Sequence, residues 1–145
     1  MRVIISIFYA LMILSACGSE REQKTVQGDG TISFARWSSE AGIDPTVFDA
    51  VAFIMDGTCL SCQTKFEAAL TKTTRRVLCV SCDPATISKY RSMGLSVYHD
   101  SSCRMEYLDF LVHQTAVVFS KSPVNGQTIA VIDPKTIGSI VLWLK

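Results

Sequence analysis

Two Cys-x-x-Cys pairs, Cys59-Leu60-Ser61-Cys62 and Cys79-Val80-Ser81-Cys82, together with Cys103, hold most of the reactive chemistry in this sequence. Thiols three residues apart can close a disulfide, hold a soft metal ion, or act as attacking and resolving groups in thiol exchange. Sixteen residues separate the two pairs, a spacing that matches a zinc ribbon on paper. A ribbon needs each pair in a tight knuckle, however, and the second pair sits in a β-branched run. A straight strand sends sulfurs three residues apart to opposite faces, which is poor for chelation. His99 and Asp100 are adjacent, and a His near thiolates can serve as base or ligand, although a lone His beside Asp at a strand end is more often solvated. His113 reads as structural.

The elements that must position these thiols follow from apolar patterning. A continuous apolar run over residues 50–55 predicts a strand buried on both faces, stopped by Asp56-Gly57-Thr58. From Leu60 a helical pattern runs through Phe66, Ala69 and Leu70, with Lys65 and Glu67 facing out. Residues 77–80 predict a second buried strand, closed by Asp83-Pro84. Ile87, Tyr90, Arg91 and Met93 fit a short helix ended by Gly94, residues 95–98 a third strand, and residues 105–112 a third, weaker helix. Two more strands, over 115–119 and 128–132, are joined by Pro123-Val124-Asn125-Gly126, a hairpin signal. Residues 31–37 predict a short strand with Ile32 and Phe34 inward, and residues 136–144 are left without an assigned type. Phe53, Phe66, Phe110, Phe119 and Trp143 recur at core-facing positions.

Strand, helix, strand, helix, strand and then a hairpin predict an α/β fold, with parallel early strands in a central mixed sheet flanked by helices. The reactive edge of such a sheet lies at the carboxyl ends of its strands. Cys59 and Cys62 follow the first core strand, Cys82 ends the second, and Cys103 lies just past the third. These four thiols are therefore expected to converge on one edge, with Cys82 and Cys103 as auxiliary thiols able to form a second disulfide. Cys79 points to the opposite strand face and is expected to be free and buried.

The first residues fix the setting. Arg2 precedes a short apolar run over residues 3–14, and Leu14-Ser15-Ala16-Cys17 ends it. A positive start, an apolar middle and a small-residue cleavage site predict a secretory signal over residues 1–16. The run is too short to span a bilayer, which needs about 20 apolar residues. The Cys directly after the small residues resembles the lipobox of bacterial lipoproteins. The resemblance implies that the peptide is cut before Cys17, which is diacylated on sulfur and acylated on its new amine. Several acyl chains anchor a protein stably where one does not. Polar residues 17–31, including Gly28-Asp29-Gly30, suit a flexible tether, and residues 32–145 make one domain. With Gly18 rather than Asp after the Cys, the resemblance implies anchoring in the outer membrane of a Gram-negative envelope, facing the periplasm. Such a compartment permits disulfides, and five cysteines beyond Cys17 leave at least one without an intrachain partner. With a net charge of +1 and no basic face, nucleic acid is not an expected partner.

Residues 53–62, Phe-Ile-Met-Asp-Gly-Thr-Cys-Leu-Ser-Cys, resemble the thioredoxin-like superfamily, with the match extending over about residues 47–144. There a Cys-x-x-Cys sits between a central strand and the first turn of a helix, whose dipole and free N–H groups stabilise a thiolate. The resemblance implies that Cys59 is the exposed nucleophile and Cys62 the resolving thiol, and that the partners are thiol- or disulfide-bearing envelope proteins. It implies no cofactor, and no haem, flavin or nucleotide motif is present. The sequence departs from the family at Thr58, where a Trp is usual, and at His113-Gln114-Thr115, where a proline faces the disulfide. Two other readings remain. Asp56-Gly57-Thr58-Cys59-Leu60-Ser61-Cys62 also resembles the loop of heavy-metal-associated domains, a thiolate site for Zn or Cu. A thioredoxin-like fold can also serve as a non-catalytic binding module.

Overall fold

The apolar runs become the strands of a five-stranded mixed sheet: β1 (Ala50–Phe53), β2 (Val77–Ser81), β3 (Ser96–His99), β4 (Ala116–Phe119) and β5 (Ile129–Val131). Their order is β3-β2-β1-β4-β5. β1, β2 and β3 run parallel, in register Ala50 with Val77 and Leu78 with Ser96. β4 runs antiparallel to β1, Ala50 opposite Phe119, and β5 antiparallel to β4, Ala116 opposite Val131. This computed structural model describes residues 31–111, 113–120 and 128–145. The expected signal segment, Cys17 and most of the tether lie outside the described residues, as do Val112 and the turn through Asn125-Gly126.

Four helices cover the sheet: α1 (Phe34–Ala41), α2 (Leu60–Leu70), α3 (Pro84–Ser92) and α4 (Ile137–Leu144). Period-two alternation splits the strands between two cores. Ala50, Ala52, Val77, Cys79, Val117 and Phe119 pack with Cys62, Phe66 and Leu70 of α2, Tyr90 of α3, and Ile137, Ile140 and Leu144 of α4. Val51, Phe53, Leu78, Val80 and Val118 face the other way, against Ile32, Trp37 of α1, Met105 and Leu108. The result is three layers within the unit formed by residues 31–145. Small Ala50 and Ala52 on the helical face leave room for Phe66, which is fully buried.

Three sequence expectations need correction. Residues 31–37 are not a strand: Ile32 makes a single bridge to Leu108, and α1 begins at Phe34. Ser33 caps it by accepting from the Arg36 N–H, Gly42 ends it at φ 67°, and Arg36 pairs with Glu40 one turn on. Phe34, Trp37 and Ala41 then fall on one helical face, so the apolar spacing belonged to a helix. The described part of the expected helix over 105–112, residues 105–111, is not an α-helix either. A 3₁₀ turn over Arg104–Tyr107 ends as the Tyr107 carbonyl accepts from the Ile32 N–H at 2.8 Å. Glu67, expected to face out, is half-buried on α2, whereas Leu60 opens that helix facing solvent, 82% exposed. The segment left unassigned is α4, with Ile137, Ile140, Val141 and Leu144 on its inner stripe.

Candidate functional site

Cys59 is the N-cap of α2, and Cys62 lies one turn inside the same helix. Chain direction puts the first thiol in solvent and the second in the core: Cys59 is exposed, whereas Cys62 is 2% exposed and packs with Phe66 and Cys79. The Cys59 sulfur lies 3.2 Å from Ser61 Oγ. That hydroxyl first, and then the Cys62 N–H and thiol, stabilise the thiolate and lower Cys59 to about 7. Cys62 moves the opposite way, raised first by burial and then by the hydrogen bond and negative charge of Cys59. Within one helical turn the chain thus holds a thiol ready to ionise near neutrality and one that keeps its proton.

The loop leading to Cys59 is clamped to the start of β4. Thr115 is fully buried; its N–H donates to Thr58 Oγ1 at 2.6 Å, and the two hydroxyls lie 2.8 Å apart. Met55 N–H donates to Thr115 Oγ1 at 3.0 Å. Gly57 permits this approach, since a Cβ there would stand 1.9 Å from the His113 carbonyl oxygen. Gln63 extends the network: Thr115 Oγ1 lies 3.3 Å from its Oε1, and its Nε2 donates to Tyr90 Oη at 2.5 Å and Glu67 at 3.1 Å. Glu67 takes a further pair of 2.8 Å contacts from Lys89 and one of 2.9 Å from Tyr90. Burial pushes the Glu67 carboxyl up, but the bonds from Lys89, Gln63 and Tyr90 together outweigh it and hold it below its usual value. Glu67, expected to face out, is therefore half-buried and bonded.

Cys82 and Cys103 occupy the other side of the sheet. Cys82 packs against the core of Trp37 and Met105, and its Sγ, that of Cys103 and a carboxylate oxygen of Glu106 all lie within 4.8 Å of one another. Burial first, and then the Cys103 thiol and the charges of Asp100 and Glu106, raise Cys82, so its thiol keeps its proton near neutrality. A cleft of about 230 Å³, lined by Asp56, Gly57, Cys82, Glu106 and His113 among others, runs between this group and the loop before Cys59. The four thiols thus form two pairs, on opposite faces of one sheet edge, rather than one cluster. Cys79 is buried among the α2 side chains, and its thiol is pushed up to about 12 by burial and by the charge of Glu67. With Cys79 and Cys82 on opposite faces, the two Cys-x-x-Cys pairs cannot share one zinc ion.

His99 and Asp100 have separate structural tasks. His99 Nε2 lies 3.0 Å from the Cys82 carbonyl. His99 is exposed, as a His at a strand end was expected to be, whereas Asp100 is 4% exposed and its Oδ2 accepts from Trp37 Nε1 at 3.1 Å and from the Met105 N–H at 2.7 Å. Sequence reasoning overlooked Ser61, the Thr58–Thr115 clamp and Glu106. Of these only Glu106 carried a local signal, three residues after Cys103. No protein-family model, curated protein or solved structure matches this chain.

Proposed function

We propose that this chain is a lipid-anchored thiol–disulfide exchange protein of a bacterial envelope, built on a thioredoxin-like fold and acting through Cys59 and Cys62. The observation that carries the reading is the opposed pair of thiols: exposed Cys59 lowered to about 7, and buried Cys62 raised. The layout supports it, because a strand-helix-strand unit, an antiparallel β4–β5 pair and a closing helix surround the dithiol in the order such a fold requires. Thr58 and Thr115 stand where the family has Trp and proline, and their hydrogen bonds supply a different brace for the same loop.

In the reductive direction, the Cys59 thiolate attacks one sulfur of a substrate disulfide. A Cys59–substrate disulfide forms, and the other substrate sulfur leaves as a thiolate that takes a proton from solvent. Cys62 then loses its proton and attacks the Cys59 sulfur. The Cys59–Cys62 disulfide forms, and the second substrate sulfur leaves with the bonding pair. Run backwards, the same steps oxidise a dithiol. Leu60, 82% exposed beside Cys59, offers an apolar contact suited to a polypeptide substrate. In cells, Cys62→Ser is expected to accumulate mixed disulfides on Cys59, seen by non-reducing electrophoresis, and Cys59→Ser to accumulate none. Absence of adducts from both variants would favour a non-catalytic binding module.

A further inference from the structure

We propose that Cys82, Cys103 and Glu106 form a binding site for one borderline-soft divalent cation of the zinc type, separate from the Cys59–Cys62 dithiol. Cys82 follows the end of β2, Cys103 caps the 3₁₀ turn and Glu106 lies within it, and their ligand atoms already lie within 4.8 Å of one another. Tetrahedral zinc, with bonds of about 2.3 Å to sulfur and about 2.1 Å to carboxylate oxygen, sets ligands about 3.6–3.8 Å apart. Side-chain adjustments of about an ångström therefore close the set around an ion. Two thiolates and one carboxylate select against magnesium and calcium, which take oxygen alone, and the mixed sulfur and oxygen set suits zinc. The fourth position would open to the cleft of about 230 Å³ that Glu106 and Cys82 line, leaving room for water or an exogenous donor.

The supports of these ligands are already in place. Cys103 is held at φ 53°, an uncommon conformation for a side-chain-bearing residue, with its N–H donating to the Asp100 carbonyl at 2.9 Å. Its own carbonyl accepts from the Glu106 N–H at 3.2 Å, tying two ligands together through the backbone. Buried Asp100 fixes the loop from beneath by accepting from Trp37 and from the Met105 N–H. On the Cys82 side, His99 lies 3.0 Å from the carbonyl. Arg104, the cation within the turn, is bonded to Glu40 of α1 rather than to Glu106. Fixed backbone around adjustable side chains is what a preorganised metal site needs. Binding replaces the thiol protons, which pass to solvent, with the metal.

The test is zinc retention by the reduced full chain, measured by competition with a chromogenic chelator, with cobalt substitution to read sulfur-to-metal charge-transfer bands. One equivalent is expected, with those bands present. Cys82→Ser and Cys103→Ser should each abolish the bands. Exposed Glu106→Gln, which disturbs no packing, should weaken binding by about tenfold or more while keeping them. A Cys59→Ser/Cys62→Ser double variant should bind as the parent does, so failure of the dithiol reading would leave this result untouched. No retained equivalent, or a bound ion lost with Cys59 and Cys62 instead, overturns the proposal. So does a Cys82–Cys103 disulfide in the isolated protein whose reduction creates no zinc affinity.

Discussion

At Cys59 and Cys62 identical side chains acquire opposite acidities because one helical turn separates solvent from core. The attacking and resolving roles proposed for them rest, in the sequence, only on the resemblance, since spacing says nothing about which sulfur Ser61 touches or which one Phe66 covers. Cys79 was readable differently: a residue three before Cys82 in a strand must face the other way, and it does. Its burial has a consequence for stability. The folded chain keeps the Cys79 proton to about pH 12, whereas an unfolded chain loses it near the free-thiol value of about 8.5. Between these limits the folded state binds more protons, so stability falls as pH rises, by up to about 1.4 kcal/mol per pH unit. Below about 8.5 the contribution is constant. Urea unfolding of Cys79→Ala at several pH values should therefore give a flatter decline between about pH 9 and 11 than the parent, from a lower neutral starting point. Parallel declines would mean that Cys79 is not held neutral by burial.

Among the elements, β1, β2 and α2 were legible because each carries an unbroken apolar run or a helical stripe between clear stops. Asp83-Pro84 is the sharpest of these: the Asp83 carboxylate accepts from the Ala85 and Thr86 N–H groups while proline takes the first helical position. α1 was misread because Ile32 and Phe34 mimic strand alternation, although Ser33 and Gly42 mark both ends of a helix. The 3₁₀ turn was misread because Met105, Leu108, Phe110 and Leu111 all pack against the core and mimic a helical stripe, whereas the shape of the turn depends on the remote residue Trp37 through Asp100. The clamp between the loop before Cys59 and β4 was invisible for the same reason, since it joins residues 57 positions apart. Gly57→Ala tests that clamp. The added methyl would collide with the His113 backbone, so the substitution should cost about 1–3 kcal/mol in urea unfolding and disturb the Thr58–Thr115 contact. An unchanged midpoint would show that the two segments have room to separate.

For the whole molecule, the order of elements in the sequence led to an α/β mixed sheet with helices on its faces, and that architecture is observed. What the order did not convey is that the sheet divides the thiols. Parallel strands bring Cys59, Cys62, Cys82 and Cys103 to one edge, but side-chain alternation and loop direction send the pairs to opposite faces. On the proposed readings, the division separates exchange on the α2 face from cation binding beside α1. On the lipoprotein reading, Cys17 joins this domain to a membrane through residues 17–31. Cys17→Ala should then lose metabolically incorporated fatty acid and leave the membrane fraction. Labelling equal to the parent's would contradict the anchor without touching the chemistry of the domain.

That chemistry rests on unequal acidity within the dithiol. Alkylation of the fully reduced protein, followed against pH with each modified cysteine located by mass spectrometry, measures it at both sulfurs at once. Cys59 should react with a midpoint near pH 7, and Cys62 should lag far behind at every pH near neutrality. Equal rates at the two sulfurs, rising together near the free-thiol value of about 8.5, would contradict a nucleophile and its resolving partner.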